Sequence, residues 1–135
     1  MILGVGLDLM DVARIERAMQ NERFLLRIYT EGERGRIALR GAQTAAGYFA
    51  AKEAVAKALG TGFRGFCAWD VEVAVDAFGR PEAVLYRGAL ERYRALGGGQ
   101  LLISITHCGG MAAAVAVLEG DGGTLGAAQT RQRDF

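Results

Sequence analysis

The sequence predicts an α+β fold in a single domain, and three observations carry that prediction. Apolar residues alternate at the period of a strand near both ends of the chain, over 2–8 and again over 101–118. Between them, roughly from Thr44 to Leu59, runs an alanine-rich segment with helical spacing and a glycine stop. Strands and helices follow one another in mixed order, with no strict βαβα repeat, which separates this class from a doubly wound parallel sheet. With 135 residues and a hydrophobic fraction of 51%, the chain can bury one core and is too apolar to be disordered.

Each element has its own signal. Ile2 to Asp8 alternates glycine with Leu and Val and reads as the first strand, where Gly4 and Gly6 would admit another backbone at close range. Asp11 can cap a helix over about 12–20, with Ile15 and Met19 as its apolar stripe. Phe24 to Tyr29 forms a second apolar patch. Thr30 and Glu33 then stand at capping-box spacing, opening a short helix to about Arg40. The long helix ends at Gly60. After a loop over 62–68, Val71, Val73 and Val75 alternate with Glu72, Ala74 and Asp76, a half-buried strand with its polar residues in water. Gly79-Arg80-Pro81 turns the chain back into a strand over 83–86, and 88–96 is helical up to Gly97-Gly98-Gly99. Leu101, Ile103 and Ile105 alternate into a strand, Cys108-Gly109-Gly110 turns it, and 111–118 returns as a strand of small, buried residues. The domain is therefore expected over 1–118. Residues 119–135 read as a Gly-rich, frayed tail.

Composition excludes several classes. The formal net charge is +1, so no bulk field favours nucleic acid. Arginines nonetheless cluster locally at Arg14, Arg17, Arg23 and Arg27, and again at Arg34, Arg36 and Arg40, which suits an acidic partner or phosphate groups as well as a solvated helix face. Cys67 and Cys108 are too few for a disulfide framework and lack zinc spacing, and His107 is the single histidine. MILGVGLDL has neither a basic n-region nor a secretory h-region. No apolar run approaches the roughly 18 residues of a membrane span. The default is a soluble cytoplasmic protein that binds neither membrane nor nucleic acid.

The stretch 49–62, FAAKEAVAKALGTG, carries the densest chemical signal. At about 100° per residue, Tyr48, Phe49, Val55, Ala56 and Leu59 share one arc, Glu53 and Lys57 sit at its edge, and Ala50 and Ala54 lie on the other flank. Such a shoulder, lined by methyl groups, would let a bulky ligand approach. Glu and Lys four residues apart also form the common solubilising helix pair, worth about 0.2–0.5 kcal/mol. Lys52 falls nearer the middle of the apolar arc, which implies either a snorkelling stem or a buried partner. Three groups can converge with this helix. Asp8 ends the first strand, His107 ends SITH beside Thr106 and Ser104, and Gly60-Thr61-Gly62 offers backbone N–H groups suited to phosphate. Two carboxylates from separate elements are a usual way to hold Mg²⁺, which takes its other ligands from water and phosphates. These parts describe a diphosphate-handling site. No GxxxxGK[ST], GxGxxG or GxSxG occurs, so a P-loop, a dinucleotide fold and a serine-hydrolase elbow are not indicated.

At these residues the sequence resembles the holo-acyl-carrier-protein synthases, small bacterial-type 4′-phosphopantetheinyl transferases. The resemblance rests on GVGLDLMDVARI at 4–15, TEGE at 30–33, FAAKEAVAKALGTG at 49–62, WDVEV at 69–73, GRP at 79–81 and SITH at 104–107. It implies that family's fold, an antiparallel sheet packed on a long helix. It implies transfer of the phosphopantetheine arm of coenzyme A to a serine of an apo-acyl carrier protein, with release of 3′,5′-ADP, in fatty-acid or polyketide biosynthesis. Carried over by motif, Asp8 and Glu53 would ligate Mg²⁺ and Lys57 would hold phosphate oxygens near Gly60, Thr61 and Gly62. Thr106 and His107 would lie near the 3′-phosphate, and Gly79, Arg80 and Pro81 would border the adenine. The base would be Glu53 itself or a metal-bound water. Arg14 would meet the acidic helix of the carrier, with Arg17, Arg23 and Arg27 as neighbours by charge. A homotrimer is implied as well.

The chain also departs from that pattern. Many relatives have arginine directly before FAAKE where this chain has Tyr48, and Arg40, Arg64 and Arg80 are candidates to supply the missing charge. Met111 stands where tyrosine is frequent, and Cys108 where a small polar residue is. A degenerate carrier-protein or coenzyme A binder is the competing expectation. Joint presence of Asp8, Glu53, Lys57 and His107 argues against it, and a nucleotide hydrolase ranks last because no separate water-activating base is evident.

Overall fold

A computed structural model describes residues 1–121. In chain order the elements are β1 (Ile2–Asp11), α1 (Val12–Ala18), α2 (Glu22–Ile28), α3 (Glu31–Arg40), α4 (Ala42–Ala58), a 3₁₀ turn (Ala68–Asp70), β2 (Val71–Val75), β3 (Pro81–Leu85), α5 (Arg87–Ala95), β4 (Gly98–Cys108) and β5 (Met111–Gly120). β1, β5 and β4 form an antiparallel three-stranded sheet in that order, and β2 and β3 form a separate antiparallel hairpin. The α+β expectation holds, with the long helix α4 lying across the three-stranded sheet.

Local chemistry accounts for the element ends. Asp11 accepts the Ala13 N–H at 2.9 Å and starts α1. Asn21 does the same for α2 through Arg23. At α3 the capping box is reciprocal: Thr30 Oγ1 accepts from Glu33 N and Glu33 Oε1 accepts from Thr30 N. Gly60, at φ +82°, closes α4 in a conformation that side chains other than glycine's resist.

The contact between α4 and β1 fixes the architecture. A Cβ at Gly6 would stand 1.7 Å from the carbonyl oxygen of Ala54, and one at Gly4 would stand 1.9 Å from that of Ala58. The helix therefore rests on bare strand backbone. The two repeats match: two residues of strand advance about 6.8 Å and four residues of helix about 6 Å. Glycines at alternate strand positions thus meet helix carbonyls one turn apart. Beyond them, Ala112, Ala114 and Ala116 of β5 are buried under the same helix.

Four expectations about the elements need correction. Asp8 does not end β1, because pairing with β5 continues to Asp11 opposite Met111. The Ala50/Ala54 flank of α4 is no ligand shoulder, since both alanines are fully buried and β1 and β5 occupy that side. Glu72 does not face water: it is 7% exposed and accepts hydrogen bonds from Thr30 Oγ1 at 2.6 Å and from the Tyr86 hydroxyl at 2.8 Å. β5 also runs past 118 to Gly120. The expected frayed tail lies, from residue 122 on, outside the described residues.

Candidate active site

Along β1, Asp8 follows Gly4 and Gly6 on the strand face turned to α4. Its partner on the helix is Lys57, whose Nζ donates to Asp8 Oδ1 at 3.2 Å and to the Leu7 carbonyl at 2.9 Å. The helix pair Glu53–Lys57 seen in the sequence is thus opened, and the lysine bridges to the strand. Asp8 Oδ2 is buried and has no hydrogen-bond partner among the described residues. A buried carboxylate oxygen without a donor is costly and is rarely left so without a function. Glu53 lies beside it, part-buried. Burial pushes the Glu53 carboxyl up from the usual carboxylate range, the charge of Asp8 pushes it further, and Lys57 offsets part of this. Two carboxylates and one ammonium converge where β1 meets α4.

In front of Glu53 opens a cavity of about 270 Å³, walled by Phe49, Phe63, Phe66 and Ile28, with Arg27 and Cys67 at its polar side. Its floor includes Lys52, the lysine left without a partner by the sequence. Lys52 is 1% exposed and forms a 2.8 Å ion pair with Glu33, itself wholly buried. It also donates to the carbonyls of Ala68 at 3.0 Å and Val71 at 2.5 Å. Burial lowers its pKa, and the charge of Glu33 works in the opposite direction. Glu33 completes its own set by accepting from Val73 N at 2.7 Å.

On the other side of α4 a second cavity, of about 190 Å³, is lined by Arg40, Thr44, Tyr48, Gly79, Pro81 and His107 among others. His107 Nε2 lies 2.8 Å from the Gln43 carbonyl. A carbonyl only accepts, so Nε2 carries the proton and the ring is held in one orientation. Gly47 makes room for it: a Cβ there would fall 3.0 Å from His107 Nε2 and 2.9 Å from Ile105 Cγ2.

Other residues singled out in the sequence are placed less centrally. Gly60 and Gly62 do not present free N–H groups, because Gly60 N donates to Lys57 O at 2.9 Å and Gly62 N to Ala56 O at 3.1 Å. Thr61 Oγ1 donates to the Gly62 carbonyl at 2.9 Å. Thr106 faces away from His107, on the outer side of the sheet with Ser104. Arg80 is exposed on the hairpin turn while its neighbours Gly79 and Pro81 line the second cavity, and Arg64 lines neither cavity. Arg14, Arg17, Arg23 and Arg27 are all exposed on α1 and α2, and of the four Arg27 reaches the Glu53 cavity. Arg36, named in the sequence only as one of a cluster of arginines, donates from Nε to the Tyr48 hydroxyl at 2.9 Å. Nothing in its spacing distinguished it from the other arginines of α3.

Residues 4–109 match the family model of the 4′-phosphopantetheinyl transferase superfamily. A holo-acyl-carrier-protein synthase of Solidesulfovibrio magneticus is 47% identical over 123 residues, covering 89% of this chain and 100% of its own. Another from Clostridium perfringens is 41% identical, covering 90% of this chain and 96% of its own. The chain belongs to the holo-acyl-carrier-protein synthases. Its fold agrees with solved members of that family. The synthase of Neisseria meningitidis superposes with a TM-score of 0.79 at 33% identity, over 88% of this chain and 99% of that one. A synthase of Helicobacter pylori, solved in complex with coenzyme A, gives 0.76 at 29% identity, over 85% of this chain and 99% of that one. The chain is therefore that of an enzyme, and both of the cavities described above flank α4, the helix that bears FAAKEAVAKALGTG.

Proposed function

We propose that this synthase transfers the 4′-phosphopantetheine arm of coenzyme A to a serine of an apo-acyl carrier protein, releasing 3′,5′-ADP, with Mg²⁺ required. The observation that carries the chemistry is the unpartnered, buried Oδ2 of Asp8 beside the raised carboxyl of Glu53. Two hard oxygen donors from separate elements fit a small divalent ion that completes its shell with water and phosphate oxygens. Asp8 and Glu53 would hold Mg²⁺. When bound, the ion supplies positive charge against the diphosphate of coenzyme A.

The rest follows from groups of the chain. Lys57, half exposed and already turned to Asp8, is placed to bind diphosphate oxygens. Arg40 and the fixed ring of His107 suit the 3′-phosphate of the nucleotide in the second cavity, and Gly79 and Pro81 border its base. The cavity in front of Glu53 then admits the carrier serine, whose oxygen attacks the β-phosphate as the bond to the leaving 3′,5′-ADP breaks. Glu53, which lines the same cavity, is the carboxylate placed to take the serine proton. Arg14, Arg17, Arg23 and Arg27 give that entrance a positive rim for an acidic carrier helix, an attraction that salt would weaken. The carrier belongs to fatty-acid or polyketide biosynthesis.

Self-association, as a homotrimer, has its own support. On the outer face of the sheet Val5, Leu7 and Leu9 are 58%, 65% and 62% exposed, beside Val115 and Val117. Such a contiguous apolar face marks a contact surface.

The deciding experiment incubates the protein with apo-carrier, coenzyme A and Mg²⁺ and weighs the carrier. A mass gain of one phosphopantetheine arm is expected, and both Asp8→Ala and Glu53→Ala abolish it. No gain, or a gain that survives both substitutions, defeats the proposal.

A further inference from the structure

Tyr48 is 7% exposed yet lines the second cavity, and its hydroxyl has a use that the transfer reading leaves open. The phenol oxygen accepts a hydrogen bond from Arg36 Nε at 2.9 Å. The Arg36 guanidinium carbon lies 5.4 Å from the centre of the same ring, and its Nη2 donates to the Val73 carbonyl on β2. Arg36 is thereby held on two sides and cannot swing into the cavity without losing both bonds. A phenol has one proton and two lone pairs, and arginine has no acceptor. One lone pair therefore takes the Arg36 N–H, and the phenol proton is left for a different partner. A cation donating to the oxygen also polarises the O–H bond, which makes it a stronger donor, above all to an anion.

The surrounding wall supports an anion. It carries Arg40, Thr44 and His107, and among the described residues no carboxylate lines it. Arg40 is exposed at the end of α3 and makes no salt bridge among the described residues. We propose that Tyr48 donates its phenol proton to a phosphate monoester held between Arg40 and His107, and that Arg36 is the positioning residue that aims and polarises that phenol. What enters the cavity rests on the proposed transfer from coenzyme A. The Tyr48–Arg36 pair then sets the preference for a nucleotide bearing the phosphate over one bearing a free hydroxyl at the same place.

The test compares coenzyme A with dephospho-coenzyme A as donors for carrier modification, in the wild type, Tyr48→Phe, Arg36→Met, Arg36→Lys and the double variant Tyr48→Phe/Arg36→Met. Tyr48→Phe keeps the ring and its packing. It is expected to lower the ratio of the two kcat/KM values about ten-fold, the effect of one hydrogen bond to a charged group, chiefly through KM for coenzyme A. Arg36→Met lowers the ratio in the same direction, Arg36→Lys restores part of it, and the double variant is no worse than Tyr48→Phe alone. An unchanged ratio in Tyr48→Phe overturns the proposal, as does an equal fall for both donors accompanied by a lower Tm. Titration calorimetry with 3′,5′-ADP against 5′-AMP reads the same preference without any transfer. If no carrier is modified but this preference is present and falls in Tyr48→Phe, the transfer reading fails and the phosphate site stands. Equal binding of 3′,5′-ADP by wild type and Tyr48→Phe overturns the role given to Tyr48.

Discussion

Glu53 shows how one side chain can be set against the stability of its own fold. Its carboxyl is raised first by burial and then by Asp8, so ionising it in the folded protein is unfavourable. The sign is that of a raised acid. Below its unfolded value, about 4.3, the group is neutral in both states and carries no penalty. The penalty builds as pH rises through the raised folded value and is complete above it. Glu53→Gln should therefore raise the Tm of the metal-free protein at neutral pH, with the gap to wild type closing towards about pH 4. Thermal melts in a chelator across that range check this, and a variant less stable than wild type at neutral pH would contradict it. Adding Mg²⁺ with coenzyme A should reverse the order, stabilising the wild type more than the variant. At this scale the sequence exposed Asp8, Glu53 and Lys57 through spacing and motif. It did not expose which carboxylate the lysine would choose, because that depends on where β1 crosses α4.

Among the elements, α3, α4 and the β2–β3 hairpin are tied by one buried ion pair. Glu33 caps its own helix, receives Lys52 from α4, and accepts the Val73 N–H from β2. Lys52→Met leaves that carboxylate buried without its cation, which should cost about 3–5 kcal/mol. The paired change Lys52→Met/Glu33→Gln should recover part of the loss. Chemical denaturation measures both, and strict additivity of the two single losses would show that the pair is not coupled. The capping box at Thr30 and Glu33 was readable because it is local. Lys52 stood out only as a charge in an apolar arc. Its partner lies 19 residues away in sequence, with no periodicity to point to it. Glu72 misled for a related reason. Strand alternation predicts a solvent face, but α3 and Tyr86 cover that face and supply hydroxyl donors that make burial tolerable.

For the molecule as a whole, the sheet has two unlike faces. One is closed by α4, and the other offers Val5, Leu7 and Leu9 to its surroundings. Sedimentation equilibrium should find a trimer, and Leu7→Asp should give a folded monomer by circular dichroism. A wild type that sediments as a monomer at micromolar concentration would remove the case for assembly. The overall class and most strands were legible because alternation and glycine turns are local signals, while the exposed apolar face shows only once the register of β1 on β5 is known. The seam between Gly4, Gly6 and the carbonyls of Ala58 and Ala54 has a geometric consequence. Where helix and strand touch through main chain, the spacing between the carboxylates of Asp8 and Glu53 is set at the seam by backbone rather than by a layer of large side chains. A single methyl group at either glycine would push strand from helix and pry the acid pair apart.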